Sequence, residues 1–343
     1  MRAPYRVGLL GLGHVGGALA RRLIEDGERV ASAAGRPIIL DAIAVARPEG
    51  RTAPASLVPA DALLKRPHLD AIVELIGGID PALTYICSAL QSGLEVITAN
   101  KQLIAARGPA LAQLGPLRFE ASVASAIPIV ETLAETLAAD RINSLIGILN
   151  GTTNSILDAM AAGAGYADAL ADAQRRGLAE ADPSADVDAH DPAAKLAILG
   201  MLGFRRRIEP SQIERVGIRG LDQRQLVAAR ERGFVVKLIA AASMTGPGIE
   251  ADVRPRLIPD DAPLARVAGA MNAISVDAAY AGTLVLQGPG AGPDAAASAV
   301  LADLIRAARG TPASAGALLA SLADQPVATI TPLGLQTPFP AVP

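Results

Sequence analysis

The sequence predicts an α/β fold, in which a Rossmann-type, doubly wound parallel sheet is joined to a second lobe of the α+β type. Three observations lead to this prediction. Short apolar runs alternate with amphipathic stretches in the first third of the chain, a glycine-rich turn follows the first apolar run, and the pattern changes after about residue 127. Alternating strands and helices are typical of a parallel sheet with helices on both faces.

The strands and helices of the first third follow one another at short intervals. Strands are predicted over residues 6–10, 38–46, 70–75, 94–98 and 117–123. The glycine-rich turn leads from the first strand into a helix predicted over residues 14–26. Asp80 and Pro81 open another helix, with Asp80 as the N-cap and Pro81 at the first helical position.

The remainder of the chain has a mixed pattern. Helices are predicted over residues 128–138, 153–162, 166–176, 192–202 and 295–308, and strands over 142–150, 234–242 and 273–287. A polar, aspartate-rich loop spans residues 177–190. From residue 311 the chain is rich in alanine and proline, which predicts a tail that is loosely ordered at its end.

Composition excludes several classes of protein. Hydrophobic residues make up 51% of the 343 residues and charged residues 19%, which argues against disorder. The net charge of -3 gives no electrostatic reason to bind nucleic acid or an anionic membrane. A single cysteine, Cys87, rules out a disulfide within the chain, and we find no signal peptide or membrane-spanning run. A cytoplasmic location is therefore expected.

The glycine-rich turn predicts a dinucleotide site. Gly11, Gly13 and Gly16 follow a strand and open a helix, and His14 and Val15 lie between them. One glycine allows the tight turn, one lets the backbone approach a pyrophosphate, and one lets helix and strand pack closely. The helix N-terminus then offers free N–H groups to the phosphates.

The choice of cofactor depends on the end of the second strand. An acidic residue at that position would bond the ribose 2′-hydroxyl of NAD, but Arg47 stands there instead. A cation at this point suits a 2′-phosphate, so NADP is favoured and NAD remains the alternative. The alternative interpretation is that Arg47 is a solvated loop arginine with no role in binding the cofactor.

Two further segments contain candidate chemical groups. Lys101 ends the sequence Thr98-Ala99-Asn100-Lys101, just past the fourth strand and at the sheet edge where ligands bind in this fold. The run from Gly177 to Lys195 gathers five acidic residues before its lysine. Asp191 is also an ordinary helix N-cap before proline, and Lys195 could snorkel from its apolar neighbours to water.

Seven segments together resemble the homoserine dehydrogenase family. They are GLGHVGGAL at the start of the chain, ELIGGIDPA at 74–82, TANK at 98–101, EASVASAIPI at 120–129, ILNGTTNSIL at 148–157, GLAEADPSADVDAHDPAAK at 177–195 and GPGAG at 288–292. The resemblance covers about residues 5–310. It implies an oxidoreductase that interconverts L-homoserine and L-aspartate 4-semialdehyde in threonine and methionine biosynthesis.

The resemblance also implies roles for individual residues. Lys101 and Lys195 would flank the reacting oxygen of the substrate, and Lys195 is the expected proton donor. The implied substrate-binding residues are Glu180, Asp191, Asp186 and Gly177. The implied cofactor-binding residues, beyond the glycine turn and Arg47, are Gly77, Thr98, Lys101 and Gly288. Backbone carbonyls that match a sodium site in relatives are those of Glu120, Val123, Ser125 and Ile127.

The expected organisation follows from the same comparison. Residues 1–126, joined by about 287–310, would form the dinucleotide-binding domain, residues 127–286 a catalytic and dimerisation domain, and residues 311–343 a C-terminal tail. Relatives are commonly homodimers, and many carry a C-terminal regulatory ACT domain. The chain ends too soon after Gly310 for such a domain, so no threonine feedback through it is expected.

Three alanines depart from the family pattern. Ala124 and Ala126 stand where the family usually has glycine, which bears on the geometry of the sodium loop. Ala189 also replaces a glycine, two residues before Asp191. If that position requires a positive φ, the alanine introduces strain.

Two alternatives are compared with this interpretation. Aspartate-semialdehyde dehydrogenase handles the same aldehyde but needs a cysteine nucleophile, and Cys87 lies in the middle of a predicted apolar helix. A catalytically silent NADP-binding homologue, acting as a sensor or scaffold, is the other alternative, because a fold alone does not prove a function.

Overall fold

The computed structural model describes residues 2–50, 52–246 and 248–333. The chain divides into two compact units. The first unit consists of Met1–Thr136 and Gly292–Gln325, and the second of Leu137–Ala291 and Pro326–Pro343. Among the residues that the structure describes, no helix is long and apolar enough to cross a membrane.

Regular secondary structure runs through both units. The strands are β1 (Tyr5–Leu10), β2 (Ile38–Ala44), β3 (Ser56–Leu57), β4 (Ala71–Glu74), β5 (Glu95–Thr98), β6 (Leu117–Arg118), β7 (Ile142–Ile148), β8 (Glu214–Arg215), β9 (Phe234–Thr245), β10 (Gly248–Pro259), β11 (Met271–Ala278), β12 (Gly282–Pro289) and β13 (Ile330–Thr331). The helices are α1 (His14–Glu25), α2 (Gly27–Ala34), α3 (Ala60–Leu64), α4 (Ala82–Gln91), α5 (Lys101–Ala112), α6 (Gly151–Ala161), α7 (Tyr166–Arg175), α8 (Ser184–Val187), α9 (His190–Phe204), α10 (Gln223–Glu231), α11 (Pro293–Arg309) and α12 (Ser314–Leu322).

The first unit contains a parallel sheet in the order β3-β2-β1-β4-β5-β6. Each neighbouring pair is parallel. The strand order reverses between β1 and β4, and the crevice at such a switch point is where ligands bind in doubly wound sheets. The predicted Rossmann-type fold is therefore confirmed.

Helices cover both faces of this sheet. Val7 and Leu9 of β1 pack in one apolar cluster with side chains of α1, α2 and α11. Gly8 points to the opposite face, where a Cβ would contact Leu63 of α3. Because successive strand residues face opposite sides, β1 is buried on both, as expected of a parallel strand.

The second unit contains a mixed sheet in the order β12-β11-β7-β9-β10-β13, with β8 also paired to β10. Each neighbouring pair from β12 through β11, β7 and β9 to β10 is antiparallel, whereas β13 and β8 pair with β10 in parallel. Helices α6 and α9 pack against β7 and β9 or connect to them directly. Strand β7 leads through Leu149 and Asn150 into α6, which places the start of that helix at the end of the sheet.

Several predicted elements differ from the structure. The strand predicted over 117–123 stops at Arg118, because residues Glu120–Ser122 form a 3₁₀ turn. The predicted helix 128–138 is a π-helical turn, Thr132–Thr136. The prediction of Asp80 as an N-cap is wrong, since Pro81 occupies the N-cap position of α4 and no side chain caps it.

The strand predicted over 273–287 is two antiparallel strands, β11 and β12, joined by a turn at residues 279–281. Strand β10, a partner of β9 over its whole length, was not predicted. The loop predicted over 177–190 contains the short helix α8.

The borders of the two units also differ from those predicted. The first unit extends to Thr136 and resumes at Gly292, rather than ending at 126 and resuming near 287. The physical reason is that the π-helical turn packs against α12. The predicted tail 311–343 thus contributes α12 to the first unit and β13 to the second, and the end expected to be loosely ordered, residues 334–343, lies outside the described residues.

Candidate active site

The glycine turn has the geometry that a pyrophosphate requires. Gly11 has φ +98°, and a Cβ there would lie 2.8 Å from the Leu75 carbonyl oxygen. A Cβ on Gly16 would overlap the Gly11 carbonyl oxygen, so Gly16 permits the close approach of α1 to β1. Gly13 is the exposed N-cap of α1, with open space around its missing side chain. The turn therefore fits the phosphates of a dinucleotide.

The two residues between these glycines have different surroundings. His14 is the exposed first residue of α1. Val15 is half-buried and packs against the apolar cluster of the first unit. His14 therefore lies beside the proposed pyrophosphate position, whereas the Val15 side chain supports the turn from the protein side.

A cavity of about 680 Å³ opens beside the turn. Its lining residues come from the turn, from the carboxyl ends of β2 and β4, and from the starts of α3 and α4: Leu10, Gly11, Leu12, Gly13, Ala44, Val45, Ala46, Arg47, Pro59, Ala60, Leu75, Ile76, Pro81 and Tyr85. Arg47 is exposed and is the charged member of this set. The structure thus brings Arg47 and the glycine turn to one cavity at the switch point.

A buried hydrogen-bond network joins the ends of β4 and β5. Glu74 is fully buried and accepts hydrogen bonds from the backbone N–H groups of Ile76 and Gly77 and from the Thr98 hydroxyl. The Asn100 side chain donates to the Gly78 carbonyl at 2.6 Å and accepts from the Leu103 N–H, which caps α5. Gly77 and Thr98 are therefore fixed in one network at the edge of the sheet.

Lys101 is the first residue of α5, directly after the capping Asn100. Its side chain is half-buried. The N-terminus of a helix carries partial positive charge, which disfavours a cation there. A lysine at this position is thus poorly explained by helix stability alone.

The second unit contains a buried ion pair at the start of α9. The ammonium of Lys195 lies 2.8 Å from Asp191 Oδ2 and donates to the Leu149 carbonyl at 2.7 Å. Lys195 is 7% exposed and Asp191 5%. The two residues are four apart on one helix face, as the sequence predicted, and burial strengthens their attraction.

Asn150 connects this pair to a second aspartate. Its side-chain amide donates to Asp186 Oδ1 at 2.7 Å and to Asp191 Oδ2 at 2.8 Å. Its carbonyl oxygen accepts from the N–H and hydroxyl of Thr153, so Asn150 also caps α6. Sequence reasoning assigned Asn150 no role, although asparagine just before a helical segment is a recognisable N-cap signal.

The residues that precede α9 are held in a strained conformation. Ala189 is buried and adopts φ +63°, the left-handed region that was expected from the family glycine at this position. Asp188 is bonded twice by the Arg219 guanidinium, at 2.6 and 3.0 Å. Hydrogen bonding from Arg219 lowers the pKa of the Asp188 carboxyl. These contacts set the position from which Asp191 enters α9.

Three other predicted site residues take no part in the bonds just described. Glu180 is exposed, and its backbone carbonyl accepts a hydrogen bond from Gln174. Gly177 is exposed with φ +71°. Gly288 lies in β12 opposite Asn272 of β11.

The four carbonyls predicted for sodium belong to one buried segment of the first unit. Glu120, Val123, Ser125 and Ile127 are all buried. The Glu120 carbonyl accepts from the Val123 N–H at 3.4 Å and the Ile127 carbonyl from the Ile129 N–H at 2.8 Å, and each retains a second lone pair. Hard oxygen donors of this kind suit an alkali cation.

The family departures in this segment have a clear backbone consequence. Ala124 has φ +53° and Ser125 φ +54°. Ala124 thus occupies a conformation that favours glycine, as the departure from the family pattern suggested, whereas Ala126 does not have a positive φ.

Two alternative chemistries find no support in the geometry. Among the described residues, no group of three or more histidine, cysteine, aspartate or glutamate side chains could hold a metal ion. Cys87 is half-buried within α4, and burial raises the pKa of its thiol. A raised pKa opposes the thiolate that a semialdehyde dehydrogenase of the thioester type needs.

Models of known protein families match segments in both units of the chain. The model of the family described as "Homoserine dehydrogenase" matches residues 128–305, and the model described as "Homoserine dehydrogenase, NAD binding domain" matches residues 11–116. The chain belongs to the homoserine dehydrogenase family. The homoserine dehydrogenase of Corynebacterium glutamicum is 43% identical over 318 residues, which cover 88% of this chain and 72% of that protein.

Solved structures of homoserine dehydrogenases have the same fold. The enzyme from Thiobacillus denitrificans matches with a TM-score of 0.89 and 37% identity, over 96% of this chain and 80% of that one. A hyperthermophilic archaeal homoserine dehydrogenase in complex with NADPH matches with a TM-score of 0.73 and 26% identity, over 90% and 99%. The predicted enzyme class and a nicotinamide cofactor are confirmed, and a silent scaffold is not favoured.

Proposed function

We propose that Lys195 protonates the carbonyl oxygen when this homoserine dehydrogenase reduces L-aspartate 4-semialdehyde to L-homoserine, and accepts the proton in the reverse direction. The observation that carries this proposal is the buried ammonium of Lys195, held by Asp191 at 2.8 Å and by the Leu149 carbonyl at 2.7 Å. Two acceptors on different elements fix the direction of the ammonium. A fixed cation stabilises the negative charge that develops on the oxygen and can supply its proton.

Other residues orient the substrate in this proposal. Lys101 is proposed to stabilise the negative charge that develops on the reacting oxygen. The carboxylates of Glu180 and Asp191 attract the substrate ammonium, with Asp186 close by and Gly177 providing backbone space. Asp191 also positions Lys195, and Asn150 positions Asp191. Opposite charges at both ends of a small substrate fix its orientation before reaction.

The cofactor site is proposed to extend from the glycine turn to Arg47. When bound, a reduced nicotinamide supplies the hydride. The N–H groups at Gly13, His14 and Val15 would face the pyrophosphate, with Gly77, Thr98 and Lys101 contributing to the nicotinamide end. Arg47 lines the same cavity and favours the 2′-phosphate of NADP over the hydroxyl of NAD.

Sodium is proposed as a structural ion for the segment that contains Glu120, Val123, Ser125 and Ile127. Its role would be to hold the left-handed turn at Ala124 and Ser125, with no part in the chemical step.

We also propose a homodimer in which the second unit forms the interface. A cytoplasmic location is proposed as well, and it suits a chain with one unpaired cysteine.

The experiment that tests the proposed reaction follows NADPH absorbance with purified protein and L-aspartate 4-semialdehyde. We expect substrate-dependent oxidation of NADPH, slower oxidation of NADH, and reduction of NADP when L-homoserine is added. A folded protein that binds NADPH but consumes none of it with the semialdehyde would contradict the proposal and favour the silent homologue.

A further inference from the structure

The cavity beside the glycine turn has a wall to which no function has been assigned. The glycines and Arg47 account for the phosphate-binding parts, but Pro59, Ala60, Pro81 and Tyr85 also line the space. Tyr85 is the aromatic member of the lining set, in a chain of which only 2% is aromatic. A flat aromatic side chain at this position needs an explanation beyond the phosphate contacts.

The position of Tyr85 on α4 directs its ring along the wall. Tyr85 donates its backbone N–H to the Pro81 carbonyl at 3.2 Å, so the two residues lie one helical turn apart on the same face. Side chains in a helix lean toward its N-terminus, which places the Tyr85 ring over the turn that begins with Pro81. The side chain is half-buried, so part of it is accessible from the cavity.

The chemistry of the lining changes from one part of the cavity to another. Backbone N–H groups at the glycine turn suit phosphates, and the Arg47 guanidinium suits another anion. Tyr85, Pro81 and Ala60 present apolar surface without a formal charge. A ligand that matches this set has a pyrophosphate, a second anionic group and a flat uncharged ring, as adenosine 2′-phosphate bearing a 5′-phosphate does.

We propose that Tyr85 is the adenine-binding platform of the cofactor site and stacks its ring against the base. The inference rests on the proposed function, because it takes an adenine dinucleotide as the ligand. Stacking of a base on an aromatic side chain is worth roughly 5- to 150-fold in affinity. Tyr85 therefore determines how tightly the adenosine half binds and is remote from the hydride transfer.

The test uses adenosine 2′,5′-bisphosphate, which carries the base and both phosphates but lacks nicotinamide. Calorimetric titration of the full chain is expected to show binding that weakens about 5- to 150-fold in Tyr85→Ala and stays near wild type in Tyr85→Phe. Tyr85→Leu keeps the apolar volume without the flat face and is expected to bind weakly as well. If Tyr85→Ala fails to fold, Tyr85→Leu decides the question.

Tyrosine fluorescence gives an independent readout, because the chain has four tyrosines and no tryptophan. The bisphosphate is expected to quench part of the tyrosine emission in the wild type. In Tyr85→Phe that quenching should disappear although binding persists. Wild-type affinity in Tyr85→Ala or Tyr85→Leu, quenching retained in Tyr85→Phe, or no binding to the wild type would overturn the inference.

The two proposals fail in different ways. Bisphosphate binding involves neither nicotinamide nor the semialdehyde, so a wild type that binds it through Tyr85 but oxidises no NADPH contradicts only the proposed reaction. An active wild type with unchanged affinity in Tyr85→Ala contradicts only the role of Tyr85. In an active enzyme, Tyr85→Ala should raise KM for NADPH by the same factor and leave kcat at saturating NADPH near wild type.

Discussion

Lys195 and Lys237 are both buried lysines of the second unit, and each donates to an aspartate and to a backbone carbonyl. The Lys237 ammonium lies near three acceptors, Asn154 Oδ1 at 2.9 Å, Asp158 Oδ1 at 2.7 Å and the Val267 carbonyl at 2.7 Å. Three acceptors match the three N–H groups of a lysine, so Lys237 ties strand to helix and loop. Lys195 belongs with Asp191 to a motif of the family, and it carries the chemistry in our proposal.

Ala189 provides a residue-scale prediction about strain. An L-residue in the left-handed region costs roughly 1–2 kcal/mol, whereas glycine avoids this cost but loses more chain entropy on folding. Ala189→Gly is therefore expected to raise the free energy of unfolding by up to about 1 kcal/mol. Urea-induced unfolding of the wild type and the variant measures this change in the free energy of unfolding.

The matched control for that prediction is Ala193→Gly, a buried alanine in α9 with helical geometry. It is expected to lower the free energy of unfolding by about 1 kcal/mol or more, because glycine is unfavourable inside a helix. Equal destabilisation by both substitutions would refute the interpretation of Ala189 as strained.

At the scale of elements, the turn from β1 to α1 combines two glycines with opposite requirements. Gly16 is buried where helix and strand touch, and Gly13 is exposed at the helix N-cap. Gly16 allows the helix and the strand to pack closely inside the protein, and Gly13 leaves space on the side where the ligand would bind. The two functions are therefore separable by mutation.

Gly16→Ala and Gly13→Ala form the corresponding pair of variants. Gly16→Ala should lower the free energy of unfolding by about 1–3 kcal/mol, because the added methyl group overlaps the Gly11 carbonyl. Gly13→Ala should change stability by less than about 1 kcal/mol yet weaken NADPH at least tenfold, the equivalent of ~1.4 kcal/mol. Thermal unfolding and calorimetry of both variants check this, and an unchanged NADPH affinity in Gly13→Ala would count against the phosphate site.

The segment around Arg219 holds the loop before α9 and gives a pH-dependent prediction. Because hydrogen bonding from Arg219 lowers the pKa of Asp188 in the folded state, this pair contributes stability above the unfolded pKa of about 4 and loses it as the pH falls through the lowered value. Arg219→Met should thus destabilise the protein slightly at neutral pH, and the difference from wild type should vanish in strong acid.

Carboxyl NMR titration of Asp188 tests the cause directly, with a pKa that moves up to its ordinary range in Arg219→Met. Arg224→Met is the control, since Arg224 is an exposed arginine 3.6 Å from Asp222. An Asp188 pKa that does not respond to Arg219→Met would rule out this contribution.

At the scale of the whole molecule, the sequence predicted the first unit better than the second. Strands of a parallel sheet are buried on both faces, so β1, β4 and β5 stand out as short apolar runs. In β10, charged residues such as Glu250, Asp252 and Arg254 alternate with apolar ones, but the run also contains prolines at 255 and 259, which argue against a strand. The turn between β11 and β12 lacks the Asn-Gly or Asp-Gly pair that most clearly indicates a hairpin.

The candidate site was predictable where a motif carried it. The glycine turn and the pairing of Asp191 with Lys195 follow from local spacing. The role of Asn150 was missed because it depends on Asp186 and Asp191, 36 and 41 positions away. Tyr85 was missed because only the packing of α4 beside β4 brings it to the cavity that Arg47 lines.

The proposed homodimer is tested by mass. Each chain has a mass of 34.9 kDa, so sedimentation equilibrium should give roughly twice that value, as expected for a two-fold symmetric pair. The same mass should be found with and without NADPH. A species with the mass of one chain at assay concentrations, with full activity, would contradict the homodimer.

The central claim is that the Lys195 ammonium takes part in the reaction, and turnover of Lys195→Met at saturating NADPH and L-aspartate 4-semialdehyde tests it most directly. Lys65→Met, at an exposed lysine, is the control, and Asp191→Asn combined with Lys195→Met avoids leaving a buried carboxylate unpaired. We predict that kcat falls by ~10²–10⁴-fold in both Lys195 variants while NADPH binding and the fold persist. A kcat near wild type in a folded Lys195→Met would contradict the account.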